Sequence, residues 1–303
     1  MRIITDFREI GECAVCLGNF DGLHKAHIRI IDNCTEYARA NGIFCGVLLF
    51  KNHTSTVCDT ESCKLITTLE EKIEILEKTK IDFVFLIDFD KSFMKNTPEE
   101  FFGFLTQKIK AKALFAGYDY RFGYKAQGDT KKLLELGKQN GVYVNVCDEI
   151  LEGNEAVSST RIRQLIINGD IKNANSLLNR PYFILGSVEH GKKNGRKMGL
   201  PTANISYSPD KLLPCDGVYF GFTQIEGKAY KSVINVGKNP TFDAKERTIE
   251  SHILGYDKEI YETSVKVGFL EKIRDEIRFS SVGELTEQIK RDIEVVERKE
   301  LCI

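Results

Sequence analysis

The chain has 303 residues, with 43 Lys plus Arg against 44 Asp plus Glu, for a formal net charge of −1. At 42% hydrophobic and 29% charged it has a globular composition, which argues against a disordered chain and a polybasic nucleic-acid module. At roughly 150 residues per domain the length suggests two domains. No apolar run approaches the roughly 18 residues of a membrane-spanning helix, and the opening MRIITDFREIGE turns acidic before any secretion signal develops. The nine cysteines are odd in number and scattered, so a reducing, cytoplasmic setting is expected.

In chain order, apolar strand candidates fall at Ala14–Leu17, Ile43–Phe50, Ile81–Ile87, Lys112–Ala116 and Val142–Val146, several nearly continuous in apolar content, as buried parallel strands are. Amphipathic stretches between them predict helices over Lys25–Arg39, Leu69–Lys78, Pro98–Ile109 and Thr130–Asn140. Alternation of this kind predicts an α/β fold with a Rossmann-like parallel sheet. Cys13 and Cys16 sit three apart in the first strand, where they point to opposite faces, and read as structural thiols. Ser158-Ser159-Thr160 then opens a capped helix, and a second short helix is expected over Ile171–Leu178 before the boundary at Asn179-Arg180-Pro181. Beyond it the period changes. Short strand candidates at Phe183–Val188, Gly217–Thr223, Ala229–Val236, Glu250–Leu254 and Ser264–Phe269, with a hairpin turn at Ile225–Lys228, predict a small antiparallel barrel. Leu285, Ile289, Ile293 and Val296 fall at helical spacing and predict a terminal helix packed on that barrel. The expected domains are 1–181 and 182–303.

The first chemical constellation leaves the first long strand as Gly18-Asn19-Phe20-Asp21-Gly22-Leu23-His24-Lys25-Ala26-His27. Gly18 and Gly22 permit close backbone approach. The N–H groups at the start of the helix can receive phosphate oxygens. His24 and His27, three apart, share a helix face, where their ring donors can hold nucleotide phosphates and stabilise transition-state charge. A zinc site is less well supported, because H-x-x-H lacks the glutamate of H-E-x-x-H.

This segment resembles the nucleotidyltransferases with an H-x-G-H motif, and with its flank the adenylyltransferase domain of bacterial FAD synthetases, whose pattern is roughly G-N-F-D-G-x-H-x-G-H. The resemblance implies that Gly18, Asn19, Phe20, Asp21 and Gly22 contact the nucleotide, and Ala26 stands where glycine is usual. His53 matches a P-H-P-like turn without its prolines. Ala116-Gly117-Tyr118-Asp119-Tyr120-Arg121-Phe122-Gly123 resembles the family's G-x-D-F-R-F-G segment. Arg121 there can order the loop or meet phosphate. Asp119 has two open readings, as a ligand contact and as a local turn residue. Ser158, Ser159, Thr160 and Arg163 match S-S-T-x-I-R. The resemblance implies that Ser158, Ser159 and Thr160 bind phosphate at a helix start, and that Arg163 neutralises developing charge.

The second constellation is Gly186 through Ile205, in which Gly186, Gly191, Gly195 and Gly199 read as a glycine-rich loop over phosphates, and Thr202 and Asn204 supply oxygen ligands that suit Mg²⁺. Gly195-Arg196, Gly199 and Pro201–Asn204 resemble the G-R-x-x-G-x-P-T-A-N pattern of riboflavin kinases, and Asn235 lies in a further family-like stretch. The resemblance implies that Glu250 accepts the proton of the riboflavin 5′-hydroxyl, with a ladder-edge ion pair as its plainer role, and that His252 supports it.

Together the two resemblances cover nearly the whole chain and imply the bacterial bifunctional riboflavin kinase/FAD synthetase family. The implied chemistry uses ATP with Mg²⁺ to convert riboflavin to FMN, and a second ATP to convert FMN to FAD. Two alternatives stay open. One is a riboflavin kinase with weak or absent FAD synthetase activity, given Ala26 and the altered turn at His53. The other is a non-catalytic flavin-binding module. Small molecules are the expected partners, with no nucleic acid and no membrane.

Overall fold

The computed structural model describes residues 1–7, 10–51, 64–190, 201–238 and 247–301. They fall into two compact units, Met1–Ser158 and Ser159–Ile303.

In the first unit the apolar runs form a six-stranded parallel sheet in the order β1-β4-β3-β2-β5-β6. Its strands are β1 (Arg2–Ile4), β2 (Cys13–Leu17), β3 (Phe44–Phe50), β4 (Phe83–Ile87), β5 (Ala111–Gly117) and β6 (Tyr143–Cys147). Every residue of β2 is buried, as its unbroken apolar run requires. The chain steps outward from β2 through β3 to β4 and then crosses to β5. The order therefore reverses between β2 and β5, and the crevice beyond their carboxyl ends is where such sheets bind ligands.

Helix α1 (Lys25–Ala40) covers one face of the sheet through Ile30, Ile31, Cys34 and Ala38. Helices α2 (Leu69–Leu76), α3 (Pro98–Gly103) and α4 (Thr130–Asn140) also lie in this unit. Phe101 and Phe102 of α3 join Val15, Leu17, Phe85 and Leu114 in the core of the other face. Cys13 and Cys16 diverge as their spacing predicts. The Cys13 thiol meets the Ile109 carbonyl (3.2 Å), the Cys16 thiol meets the Ile30 carbonyl (3.8 Å), and Cys45 lies 3.4 Å from Cys34. Burial pushes the Cys13 thiol up to about 12, so it stays protonated.

The single helix expected over Pro98–Ile109 is instead two pieces. After Gly103 the chain widens into a π-helical turn, Phe104–Lys108, closed by Ile109 N–H on the Phe104 carbonyl. The Thr106 hydroxyl donates to the carbonyls of Phe102 and Gly103 there, and Leu105 and Ile109 both stay fully buried. Three short elements escape the sequence pattern. These are the edge strand β1 and the two-residue strands β7 (Leu151–Glu152) and β8 (Glu155–Ala156).

The second unit starts with helices α5 (Ser159–Ile167) and α6 (Ile171–Leu178). A closed antiparallel barrel follows, in the order β10-β13-β12-β11-β14-β9. Its strands are β9 (Tyr182–Glu189), β10 (Ala203–Tyr207), β11 (Gly217–Ile225), β12 (Lys228–Lys238), β13 (Arg247–Ile253) and β14 (Ser264–Arg274). The turn at Glu226-Gly227 puts both residues at positive φ, as a two-residue hairpin demands. Strand β10 corrects the sequence reading, which treated its residues as part of a loop. Gly186 is corrected too. It lies inside β9, where a Cβ would come within 2.1 Å of the Ser206 carbonyl oxygen, so close strand packing accounts for it.

Inside the barrel Thr223, Ser232 and Ser251 are fully buried and satisfy one another, with hydroxyl distances of 2.7 and 3.0 Å. Outside it, helix α7 (Val282–Glu297) sets Val296 against Val218, Phe220 and Val233. On the same helix Asp292 is only 3% exposed and forms a forked pair with Arg274 (3.0 and 2.7 Å). Removing one partner strands the other charge. Asp292→Ala is therefore expected to destabilise this unit by about 3 kcal/mol, measured by urea unfolding, whereas the apolar pair Arg274→Met with Asp292→Leu should recover most of the loss.

Candidate active sites

At the carboxyl end of β2 the backbone takes an unusual course. Phe20 (φ +49°), Gly22 (φ +86°) and Leu23 (φ +42°) all lie in the left-handed region, although two of them carry side chains. Each such non-glycine residue costs about 1–3 kcal/mol and persists only where its surroundings over-determine it. Phe20 and Leu23 are fully buried, which holds the turn from the core side.

From the other side Asp21 accepts backbone N–H bonds from Ile66 (3.3 Å) and Thr67 (3.0 Å) and lies 3.4 Å from the Thr67 hydroxyl. That hydroxyl accepts the Gly22 N–H at 2.8 Å. Asp21 is 5% exposed and engaged within the protein, unlike the ligand-facing residue the sequence suggests. Gly18 is half-buried and Asn19 exposed, and the Asn19 carbonyl accepts from Lys72 Nζ at 2.8 Å.

The turn delivers His24 as the N-cap of α1, in extended conformation, with His27 in the first turn. Their rings stack at 3.7 Å with an interplanar angle of 17°, and Phe20 meets the His27 ring edge-on at 5.2 Å. The two imidazoles that sequence spacing pairs are thus together, at a helix start whose first N–H groups lack intrahelical acceptors. Ala26 occupies the same first turn and leaves the stack intact. Lys25 beside them pairs with Glu152 at 3.0 Å.

Strand β5 ends next to β2, with Leu17 opposite Ala116. Beyond it Gly117–Tyr120 forms a turn closed by Tyr120 N–H on the Gly117 carbonyl (3.1 Å). Asp119 and Arg121 are exposed there, and a Cβ at Gly117 would come within 3.2 Å of an Asp119 carboxylate oxygen. His53 lies outside the described residues. Ser158 closes the first unit, and Ser159, Thr160 and Arg163 stand in the first half of α5 in the second.

In the barrel, register assembles the second site. Glu250 lies opposite Asn204 on one side and Asn235 on the other. Directly paired residues of antiparallel strands share a face. Buried Ile249 and Ser251 alternate with Glu250, which places the row Asn204–Glu250–Asn235 on the barrel's outer face. Asn235 is in turn opposite Val218, so the row runs to the surface that α7 covers.

Burial raises the Glu250 carboxyl above its ordinary range. His252, two residues on, donates from Nδ1 to the Pro201 carbonyl at 2.8 Å, since a carbonyl can only accept. That bond ties the stretch carrying Thr202 and Asn204 to β13. Gly191, Gly195, Arg196 and Gly199 lie outside the described residues. Among the described residues no cluster of three His, Cys, Asp or Glu side chains could hold a metal ion. Sequence reasoning passed over Thr67 and Lys72. Their only local signal is the capping box of Thr68 and Glu71 that starts α2.

A family model described as riboflavin kinase matches residues 178–299, and one described as FAD synthetase matches residues 7–161. The chain is 32% identical over 289 residues to the bifunctional riboflavin kinase/FMN adenylyltransferase of Bacillus subtilis, covering 94% of this chain and 91% of that one. It is 36% identical over 306 residues to the protein of the same description from Buchnera aphidicola, covering 98% and 97%. A crystal structure from Streptococcus pneumoniae, described as a macrolide-efflux protein, superposes with a TM-score of 0.88 at 31% identity over 99% of both chains. Among the described residues of the present chain no helix is long and apolar enough to cross a membrane.

Proposed function

The chain belongs to the family of bifunctional riboflavin kinase/FMN adenylyltransferases, and from that premise we propose how its residues divide the work. The enzyme phosphorylates riboflavin to FMN and adenylylates FMN to FAD, using one ATP in each step. We assign FMN adenylylation to residues 1–181 and riboflavin phosphorylation to residues 182–303. The observation that supports two separate sites is that the stacked imidazoles lie in the unit Met1–Ser158 and the Glu250 row in the unit Ser159–Ile303, with residues 159–181 grouping with the second unit.

In the adenylyl-transfer step the FMN phosphate attacks the α-phosphorus of ATP and pyrophosphate leaves. The nucleophile is already anionic, so alignment and charge stabilisation are the main tasks. His24, His27 and the start of α1 meet the phosphates. Gly18, Asn19, Phe20 and Gly22 shape the approach. Asp119, Arg121 and Ser158 are assigned supporting contacts by their match to the family's motifs.

In the kinase step the riboflavin 5′-hydroxyl attacks the γ-phosphorus of ATP, ADP leaves, and Glu250 takes the hydroxyl proton. The hydroxyl of Thr202 and the amide oxygen of Asn204 form a hard oxygen donor set that fits Mg²⁺. When bound, the ion screens phosphate charge. Asn235 flanks Glu250 in the same row. A reducing, cytosolic setting belongs to the same proposal, supported by nine cysteines that are odd in number and scattered along the chain.

Incubating the protein with riboflavin, ATP and Mg²⁺ should yield FMN and then FAD on a chromatographic time course. Failure to form either would overturn the assignment. Glu250→Gln is expected to lower FMN formation by about a hundredfold or more while FAD formation from supplied FMN persists. Replacing His24 and His27 by Asn should do the reverse.

The pH profile supplies an independent check. A raised Glu250 carboxyl takes up its proton above the usual value of about 4.3. The carboxylate is the active form, so kinase kcat/KM should fall on acidification in a window above that value. Adenylyl transfer in the same preparation should lack this Glu250-dependent limb.

A further inference from the structure

The loop that carries the two imidazoles holds Phe20, Gly22 and Leu23 at positive φ within four consecutive residues. Inside it the Leu23 N–H donates to the Phe20 carbonyl at 3.3 Å. Further bonds reach it from a segment more than forty residues away in sequence. We propose that Thr67 and Lys72 are positioning residues for adenylyl transfer, which brace the Asn19–Leu23 turn and so aim His24 and His27. This rests on the reading of those two imidazoles as the phosphate-holding pair.

The geometry of the brace is specific. The Thr67 hydroxyl accepts the Gly22 N–H at 2.8 Å and faces Asp21 Oδ1 at 3.4 Å, so one group engages two successive residues of the strained turn. The Asp21 carboxylate also receives the backbone N–H groups of Ile66 and Thr67. Lys72 reaches the other side of the turn and donates to the Asn19 carbonyl at 2.8 Å. Burial pushes the Lys72 ammonium below its usual range, and the nearby Asp21 charge offsets part of that.

The brace itself is stiff. Thr68 caps α2, and Glu71, fully buried, returns the bond to the Thr68 N–H at 3.0 Å. Thr68 and Lys72 are four apart, so Lys72 rises from the first turn of that fixed helix. A turn pinned on both flanks has one orientation, and His24 follows it directly as the N-cap of α1. Imidazoles that act most strongly on transition-state charge lose rate before they lose ground-state binding when their aim is relaxed.

The test uses the full-length enzyme with Thr67→Val, which keeps shape and removes the hydroxyl, Thr67→Ser, which restores it, and Lys72→Met. Thr67→Val and Lys72→Met are expected to lower kcat for FAD formation by about tenfold or more, with the KM for ATP and FMN within about threefold. Thr67→Ser should stay within about threefold of the wild type, and riboflavin phosphorylation by all variants within about twofold. The ring-nitrogen NMR signals of His24 and His27 should shift in Thr67→Val without ligand.

FAD formation by Thr67→Val and Lys72→Met within about threefold of wild type would overturn the brace. Equal losses in Thr67→Val and Thr67→Ser, or a parallel fall in kinase activity, would also overturn it by reducing Thr67 to packing. Wild-type protein that forms no FAD from FMN would instead remove the underlying reading of the imidazoles, and the brace with it.

Discussion

A buried carboxylate that accepts backbone N–H groups sets the geometry of the first site. Strand β2 is buried along its whole length, and at its carboxyl end the chain must turn sharply into α1. Left-handed residues make that turn tight enough, and Asp21 with Thr67 makes it stable enough to persist. Without this clamp the turn would relax toward ordinary backbone angles, and His24 would lose the extended cap conformation that lays its ring on His27. Local strain is thus converted into a fixed direction for two polar side chains at the switch point of the sheet.

The barrel reaches precision by another route. Its strands alternate, so one register fixes two chemically different faces. The inner face closes over Thr223, Ser232 and Ser251, whose hydroxyls bond to one another and ask nothing of solvent. The outer face sets Asn204, Glu250 and Asn235 in one row, beside the surface that α7 buries. Partial burial of that row raises Glu250, while the His252 bond to Pro201 secures the edge that bears Thr202. The Arg274–Asp292 pair then fixes α7 to β14 with a bond whose loss would leave a charge unpartnered.

Much of this was legible in the sequence because its signals are periodic. The unbroken apolar run of β2, the mixed faces of α1 and the Leu285-to-Val296 spacing of α7 each announce their element. The pairing of His24 with His27 follows from a spacing of three. What the sequence hid depends on contacts distant along the chain. Asp21 reads as a ligand residue until Ile66 and Thr67 are brought to it, and nothing near Lys72 points to Asn19. Strand β10 was hidden for a different reason. Its Asn204 and Ser206 flank the single buried residue Ile205, and a half-polar strand this short resembles a loop. Gly186 misled because its composition signal, glycine near further glycines, has a packing cause inside β9.

The two sites also differ in a way their reactions explain. Adenylylation begins from a phosphate that is already an anion, so a general base would add little there, and the first site offers imidazoles and helix N–H groups. Phosphorylation begins from a neutral hydroxyl, whose proton must leave as the new bond forms. On this reading the second site therefore carries a carboxylate, and one whose proton affinity burial has raised toward that of a working base. A carboxylate of that kind placed beside the first pair of imidazoles would repel both substrates. The Asp21 carboxylate near them accepts bonds from the backbone at residues 66 and 67 and lies in the field of Lys72. The same side-chain chemistry is thus aimed at substrate in one unit and held within the protein in the other, and the nucleophile's charge decides which.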